Sequence, residues 1–414
     1  MAVYDRWHKS RPKPGEAKCK CRPAKVPTAE HGAGKRWQVR WRDDTGKQQK
    51  LNFETKPAAE RKDAEIKASL DRGDYVDPQA GKVTLEECAR RWRAGLTGDP
   101  GSLMNTDATL SRWVYGKPIA QQPMRALAKH PSLVQAWIKE MESVGLQPNT
   151  IRGHVGVVSA VFDAAVDDGI VVRNPCKAKS VRQPARPRRK VVPWPLAWVE
   201  AMGEALPARY SAMVYLGAGC GHRQGEMFGI ALDDVDFLQR IVHVRRQVRI
   251  VNGELLFSPP KGGKERKVPL PEAVGLRLGA HIAAHPPSEV TLPWKVPGGK
   301  PVTVSLLFPR SPGEPLVRSR FNDGLWKPAL VAAGIPATRD NGCHALRHTA
   351  ASAWLAAGVD IRTVAEYLGH SDPGFTLRTY THLMPDAADR ARRAMDLFFD
   401  NGASALVVPS GVIS

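Results

Sequence analysis

HALRHTAASAWLAAG at residues 344–358 and LGHSDPGFTLRTYTH at residues 368–382 are the stretches that decide how this sequence is interpreted. The first opens a predicted Ala-rich helix with a His-x-x-Arg spacing, which puts His344 and Arg347 on one helix face. The second places Tyr380 ten residues after His370. Each of these residue types alone is more often a packing or ion-pairing residue, so the interpretation depends on their combination.

Two earlier stretches add further candidate groups. Residues 219–237, GCGHRQGEMFGIALDDVDF, place Arg223 in a glycine-flanked turn between two apolar helical segments. Residues 259–271, PPKGGKERKVPLP, place Lys261 in a glycine turn between predicted strands, with Lys264 and Lys267 close behind. The glycines allow the backbone to approach closely and to adopt tight turns.

Together and in this order, the four stretches resemble the catalytic domain of tyrosine recombinases, the phage integrase family. The resemblance is strongest after residue 205 and extends over about residues 35–400. It implies catalytic roles for six residues: Arg223, Lys261, His344, Arg347, His370 and Tyr380. Lys264 is the alternative to Lys261. Glu226 is expected to orient Arg223, and His348 and His382 are expected to support packing.

The implied reaction is cleavage and rejoining of DNA through a phosphotyrosine. Two guanidiniums can grip a phosphodiester with paired donors and stabilise the charge of the transition state. Tyr380 would attack phosphorus with His344 as base, His370 would hydrogen-bond the phosphate, and Lys261 would protonate the leaving 5′-oxygen. No cofactor and no metal are expected, and the sequence contains no nucleotide-binding loop.

The overall composition agrees with a nucleic-acid partner. The 414 residues carry 61 Lys and Arg against 41 Asp and Glu, a net charge of +20. Such a basic surface attracts polyanions. An apolar fraction of 42% excludes global disorder, and the absence of an 18-residue apolar run or a signal-like N-terminus predicts a cytoplasmic, nucleoid-associated protein. Six cysteines do not make a disulfide framework in a chain of this length.

The N-terminal part predicts a basic mobile arm followed by a small DNA-binding domain. Residues 1–34 are rich in Pro, Gly, Lys and Arg, and their cysteines, Cys19 and Cys21, do not fit usual zinc spacings with His8 and His31. Alternating residues from Trp37 to Phe53 predict strands around a turn at 43–46, and residues 57–72 predict a helix that stops at Gly73. Residues 35–78 resemble the arm-site DNA-binding domain of integrases, with Arg40 and Arg42 on the basic strand face.

The remaining segments complete an α+β, mainly α, organisation. Residues 83–176 predict an all-α unit similar to the core-binding domain, with a capping box at Thr84 and a long helix over 149–168 capped by Asn149 or Thr150. A mostly helical catalytic domain spans 191–400, with a small β-sheet near 241–270, and 401–414 form a tail. The basic linker 177–190 is expected to contact DNA phosphates through Lys177, Lys179, Arg182, Arg186, Arg188 and Arg189.

The resemblance also implies partners. Double-stranded DNA at crossover and arm-type sites, a homotetramer on DNA, and accessory directionality and DNA-bending factors are expected, without a membrane. The sequence predicts the integrase of a phage or integrative element. Two alternatives stay open at this point: a non-catalytic DNA-binding regulator and a type IB topoisomerase on the same scaffold. The intact catalytic set argues against the first, and the separate N-terminal domain argues against the second.

Overall fold

The structure, a computed structural model, describes residues 2–42, 46, 48–71, 80–186, 191–380 and 388–400. The chain divides into two compact units, Met1–Pro187 and Arg188–Ser414. Several predictions lie outside the described residues: most of the turn at 43–46, the helix stop at Gly73, the linker residues Arg188 and Arg189, His382, and the tail 401–414.

The first unit begins with a three-stranded antiparallel sheet in the order β1–β2–β3, backed by one helix. Its elements are β1 (Ala2–Asp5), β2 (Trp37–Arg42), β3 (Gln48–Phe53) and α1 (Lys56–Asp71). The alternation read from the sequence is confirmed, because Val39 and Trp41 are buried against Ala59 and Ile66 while Arg40 and Arg42 are exposed.

The segment that supplies β1 differs from expectation. The sequence predicted a mobile arm over residues 1–34, but Ala2–Asp5 pair with Trp37–Arg40 in the sheet. The chain then doubles back, since the amide of Lys9 donates to the carbonyl of Val26 at 2.9 Å and that of Thr28 donates to Trp7 at 2.9 Å. The segment is held by short backbone pairings and its sequence has no apolar periodicity. The sequence therefore resembles that of a mobile segment.

A helical domain follows in the same unit. It consists of α2 (Leu85–Gly95), α3 (Pro100–Trp113), α4 (Met124–Lys129), α5 (Ser132–Ser143) and α6 (Pro148–Asp167). The predicted capping box is present, with Thr84 accepting from the Glu87 amide and the Glu87 carboxylate accepting from the Thr84 amide. The predicted cap of α6 is wrong: the helix starts at Pro148, whose fixed φ suits the first turn, and neither Asn149 nor Thr150 caps it.

The second unit is mostly helical. Its helices are α7 (Leu196–Ala205), α8 (Ala208–Cys220), α9 (Gln224–Phe228), α10 (Glu272–Ala284), α11 (Arg318–Phe321), α12 (Lys327–Ala332), α13 (His344–Ala356), α14 (Ile361–Leu368), α15 (Pro373–Tyr380) and α16 (Ala388–Asp400). The central helices α8 and α13 pack on each other within one large apolar core. This pairing brings the end of α8 next to the start of α13, where the candidate residues lie.

Small antiparallel sheets flank these helices. The strands are β4 (Val235–Asp236), β5 (Ile241–Val244), β6 (Gln247–Val251), β7 (Glu254–Ser258), β8 (Arg266–Pro269), β9 (Ser288–Pro293) and β10 (Pro301–Leu306). They form sheets ordered β4–β5–β8, β6–β7 and β10–β9. The predicted β region near 241–270 is confirmed, whereas the β9–β10 hairpin was missed in a stretch interpreted as helical.

Two further findings concern the whole chain. The six cysteines are all free thiols. Among the described residues, no helix combines the length and the apolar composition needed to cross a membrane.

Candidate active site

Arg223 is positioned by a tight turn after α8. Gly221 adopts φ +65°, and a Cβ there would lie 3.1 Å from the side chains of Leu368 and Trp354. Only glycine fits this left-handed, crowded position. The turn directs Arg223 toward Glu226, whose carboxylate accepts from the Arg223 guanidinium at 2.9 Å and from its amide at 2.8 Å.

Glu226 is the buried anchor of this arginine. Its side chain is also held by Arg266 on β8, which donates to both carboxylate oxygens at 3.0 and 2.7 Å. Burial alone would raise the pKa of Glu226, but the hydrogen bonds and charge of Arg266, and then the charge of Arg223, outweigh it and lower the pKa to about 2. The carboxylate therefore stays ionised and fixes both guanidiniums, as the sequence predicted for Arg223.

Arg347 lies fully buried at the start of α13, with 1% of its surface exposed. It donates to the carbonyl of Gly221 at 2.7 Å and to the carbonyl of Leu368. Gly221 lies 126 residues before Arg347 in the chain and Leu368 lies 21 residues after it, so these bonds join distant segments. Burial, and then the charge of Arg223, lower the pKa of Arg347 to about 9, so the guanidinium remains charged at neutral pH.

His370 joins the same cluster. Gly369 ends α14 with φ +61°, and the His370 ring then accepts from Arg347 through Nε2 at 3.0 Å. Burial, and then the charge of Arg347, lower the pKa of His370 to about 3, so the ring is neutral and its Nδ1–H donates to Thr376 Oγ1 at 2.6 Å. Arg223 also reaches this segment by donating to the Gly369 carbonyl at 3.2 Å.

Tyr380 ends α15 with 1% of its surface exposed. Its hydroxyl lies 2.7 Å from Nδ1 of His348, a residue to which the sequence assigned only packing or support. Burial, and then the charge of Arg347, lower the pKa of His348 to about 4, so its neutral ring accepts the phenolic hydrogen. Burial raises the pKa of Tyr380 to about 12, which keeps the phenol protonated.

The geometry thus brings together four candidate residues from three separate stretches of sequence, namely Arg223, Arg347, His370 and Tyr380. The C-terminal unit matches the phage integrase family over residues 196–386. A tyrosine recombinase XerC-like protein of Caldanaerobacter subterraneus subsp. tengcongensis is 26% identical over 382 residues, which cover 86% of this chain and 94% of that protein. Residues 196–386 form a tyrosine recombinase domain of the phage integrase family.

Two solved structures share the fold of this site-specific recombinase. The Tn1549 transposon integrase in complex with a circular intermediate DNA has a TM-score of 0.64 at 19% identity, covering 76% of this chain and all of that one. A lambda integrase tetramer bound to a Holliday junction has a TM-score of 0.51 at 16% identity, covering 84% and 93%. The mainly helical fold with small sheets, expected from the sequence, is therefore confirmed.

Two candidate residues of the recombinase lie apart from these hydrogen bonds. His344 is exposed at the first turn of α13, and its ring centroid is 4.6 Å from that of His348. Lys261 is exposed in a turn closed by the Gly263 amide and the Pro260 carbonyl at 2.8 Å, and Lys264 is exposed beside it. The turn connects β7 and β8, which belong to different sheets. The catalytic roles of His344 and Lys261, like those of the other four candidates, stay predictions.

The expected DNA-binding residues that the structure describes are surface groups of the first unit. Arg40 and Arg42 are exposed on β2, and Lys179, Arg182 and Arg186 are exposed beyond α6. Lys177 is exposed but also pairs with Asp163 at 2.7 Å. The sequence missed Arg152, which lines an open cavity of about 430 Å³ together with Arg186, Asn149 and Gly153 at the start of α6.

His222 is a buried titratable residue beside Arg223. Within the described parts of the chain, neither of its ring nitrogens has a hydrogen-bond partner. Burial lowers the pKa of His222 to about 3, against an ordinary value of about 6.5 in an unfolded chain. Between these values only the unfolded state binds the proton, so stability falls as the pH decreases below about 6.5.

We expect His222→Leu to weaken this pH dependence. On going from pH 7 to pH 5, the wild-type chain should lose about 2 kcal/mol of unfolding free energy through this histidine, and the variant should not. Urea unfolding at the two pH values measures the difference. His130→Leu, at an exposed histidine of the first unit, is the control and should leave the dependence intact. Parallel curves for His222→Leu and wild type would contradict the assignment.

Proposed function

We propose that this recombinase integrates a mobile DNA element by cutting and rejoining strands at Tyr380. The observation that supports this role is the cluster in which Arg347 contacts both Gly221 and His370 while Tyr380 contacts His348 on the same helix as Arg347. A pure DNA-binding protein would have no need for a buried phenol beside two charged guanidiniums.

The proposed step transfers a phosphoryl group without loss of bond energy. The Tyr380 oxygen forms a bond to the scissile phosphorus as the bond to the 5′-oxygen breaks. The phenolic proton passes to a histidine, and the 5′-oxygen takes up a proton to leave as a hydroxyl. The 3′-phosphotyrosyl bond conserves the energy of the phosphodiester, so the reverse reaction with another 5′-hydroxyl rejoins the strand without ATP.

The two arginines would hold the phosphate. Arg223 is fixed by Glu226 and Arg347 by two backbone carbonyls, so both guanidiniums are preorganised before DNA arrives. Preorganised donors stabilise developing charge without a reorganisation cost during the reaction. To add the expected hydrogen bond to the same phosphate, His370 would switch tautomer, so that Nδ1 accepts from the Thr376 hydroxyl and an N–H at Nε2 donates to the phosphate instead of accepting from Arg347.

The two proton transfers, from the phenol and to the leaving 5′-oxygen, have different candidate groups. His348 already contacts the Tyr380 hydroxyl, so it is the nearer acceptor, while His344 is exposed toward solvent and was expected to be the base. The general acid is proposed to be Lys261, with Lys264 as the alternative. Both lie in an exposed glycine turn, with φ +88° at Gly262 and +74° at Gly263. Such a turn lets either lysine approach a bound strand.

The first unit would position the DNA. In this proposal residues 35–78 bind arm-type sites, residues 83–176 bind the crossover site, the 177–190 linker contacts DNA phosphates and residues 191–400 form the catalytic domain. The exposed Arg40, Arg42 and Arg186 support phosphate contacts. A tetramer on DNA is proposed by analogy with the lambda integrase complex. Accessory bending and directionality factors, and action at the cytoplasmic nucleoid, complete the proposal.

A nicked-duplex trap tests this function. The crossover site is first selected from a random duplex library with the protein itself, and a nick is then placed so that the cleaved fragment diffuses away. We expect a covalent protein–DNA adduct, formed without ATP, whose DNA is attached at Tyr380 in peptide mapping. Specific binding without any adduct, or an adduct at another residue, would overturn the proposal.

A further inference from the structure

Four potential metal ligands converge at the N-terminal sheet, far in sequence from the catalytic motifs. His8, Cys19, Cys21 and His31 each offer one ligand atom, and these atoms all lie within 4.8 Å of one another. His31 Nε2 is 3.1 Å from Cys19 Sγ and 3.2 Å from Cys21 Sγ, and His8 Nε2 is 3.3 Å from Cys21 Sγ. We propose that these four side chains bind one Zn²⁺ ion in a structural tetrahedral site.

The donor set suits zinc better than other common ions. Two thiolates and two neutral imidazoles form one of the usual closed coordination spheres of structural zinc. Calcium and magnesium prefer oxygen ligands, and iron–sulfur clusters generally need four thiolates. Zinc bonds of about 2.0 to 2.3 Å place tetrahedral ligand atoms about 3.3 to 3.8 Å apart. The three nitrogen–sulfur separations, 3.1 to 3.3 Å, lie at or just below this range, and the two sulfurs, 2.9 Å apart, would move apart by less than about 1 Å to bind the ion.

Asp5 and Arg36 hold one of the ligands, His8, in place. Asp5 Oδ2 lies 2.9 Å from Nδ1 of His8, which leaves Nε2 of the same ring facing the cysteines. Arg36 holds this carboxylate through two hydrogen bonds of 3.0 and 2.7 Å. Its guanidinium also lies 3.2 Å from Nδ1 of His8. A carboxylate behind a histidine is the arrangement that fixes the tautomer and orientation of metal-binding imidazoles.

The backbone brings the ligands together independently of any ion. His8 directly follows the β1 region and forms an antiparallel bridge with Pro27. The amide of Cys19 donates to the carbonyl of Lys25 at 2.7 Å, which closes the loop that contains both cysteines. The amide of His31 donates to Thr28 at 3.1 Å. The spacing is His-x10-Cys-x-Cys-x9-His, which differs from usual zinc motifs and explains why the sequence predicted no metal.

A metal site would stabilise the small N-terminal domain, whose apolar core is limited. Its apolar core contains only four fully buried side chains among the described residues, namely Val39, Trp41, Ala59 and Ile66. Domains of this size commonly require a metal or disulfides to stabilise one structure. The ion would fix a loop rich in exposed lysines and arginines between His8 and His31. This inference does not depend on the proposed recombination steps.

Zinc content of the full chain is the direct test. We expect about one zinc per chain in protein purified without chelators, and less than about a tenth of that in Cys21→Ser and His31→Ala. Matched controls are Cys88→Ser and His130→Ala, which change a cysteine and a histidine outside the cluster and should retain the ion. Only trace zinc in the wild type, or full zinc in Cys21→Ser, would overturn the proposal.

Cobalt substitution and hydrogen exchange keep the test decisive if a variant fails to fold. Wild-type chain loaded with Co²⁺ should show the strong visible absorption of a tetrahedral site and a thiolate charge-transfer band. A chelator should speed amide exchange in residues 2–42 and leave residues 191–380 unchanged. A weak octahedral cobalt spectrum, or unchanged exchange in residues 2–42, would contradict a structural zinc site.

Discussion

Tyr380→Phe is expected to leave DNA binding intact and to abolish covalent adduct formation and recombination, with a rate loss of at least about 10⁴-fold. The change removes the attacking oxygen but keeps the ring that packs in a small apolar cluster with Leu368 and Leu355. The variant loses one hydrogen bond, to His348, which typically contributes about 1 kcal/mol to stability. Adduct yield on the nicked duplex and DNA affinity are the two measurements.

Tyr367→Phe provides the matched control. Tyr367 lies on α14 in an edge-to-face contact with Trp354 and is partly buried, so its substitution makes the same chemical change nearby. The control should form adduct at close to the wild-type rate. Normal recombination by Tyr380→Phe would show that another residue is the nucleophile, and loss of DNA binding would show that the variant is misfolded.

The burial of Tyr380 explains why the histidines matter to this result. A phenol with a pKa of about 12 is protonated throughout the physiological range, so the proton has to leave as the oxygen attacks. His348 is neutral and already accepts that hydrogen. The sequence favoured His344 because the His-x-x-Arg spacing marks it, whereas the role of His348 depends on where α15 lies against α13. That packing is a tertiary feature and leaves no local pattern.

Some residues of the candidate site could be predicted from the sequence and others could not. The order and spacing of the motifs identified Arg223, Arg347, His370 and Tyr380, and the structure places all four in one unit. Arg266 was overlooked because it lies among basic residues at 261–267 and the residues directly before and after it in sequence are exposed. Its importance comes from the buried carboxylate of Glu226, 40 residues away. Long-range ion pairs of this kind have no periodic signature.

In the overall fold, too, local features were predictable from the sequence and long-range contacts were not. Alternation in β2, the capping box at Thr84 and the apolar stripe of α6 are local patterns, and they predicted their elements correctly. Beyond the short strand β1, the first 34 residues are held by single backbone pairs, the Asp5–Arg36 ion pair and the His8–Cys21 group, with few apolar contacts. Without hydrophobic periodicity the sequence could only suggest a mobile segment.

Arg266→Met should strongly destabilise the catalytic domain. The Arg266–Glu226 pair is buried, with 5% and 0% of the two side chains exposed, and removing Arg266 leaves the buried carboxylate with Arg223 as its remaining cationic partner. Breaking such pairs costs about 3 to 5 kcal/mol. Urea unfolding measures the loss. Lys327→Met, which breaks the exposed pair with Asp323, is the control and should change stability by less than about 1 kcal/mol.

A double variant separates stability from catalysis at this pair. Replacing both partners, as Glu226→Leu with Arg266→Met, removes the buried carboxylate that has lost its Arg266 partner and should restore much of the unfolding free energy lost in Arg266→Met. It also removes the carboxylate that holds the guanidinium of Arg223 at 2.9 Å. Adduct formation should therefore remain low in a stable protein, because a free Arg223 has to be ordered during the reaction. If cleavage recovered together with stability, the pair would be structural only, and Arg223 would need no anchor to grip the phosphate.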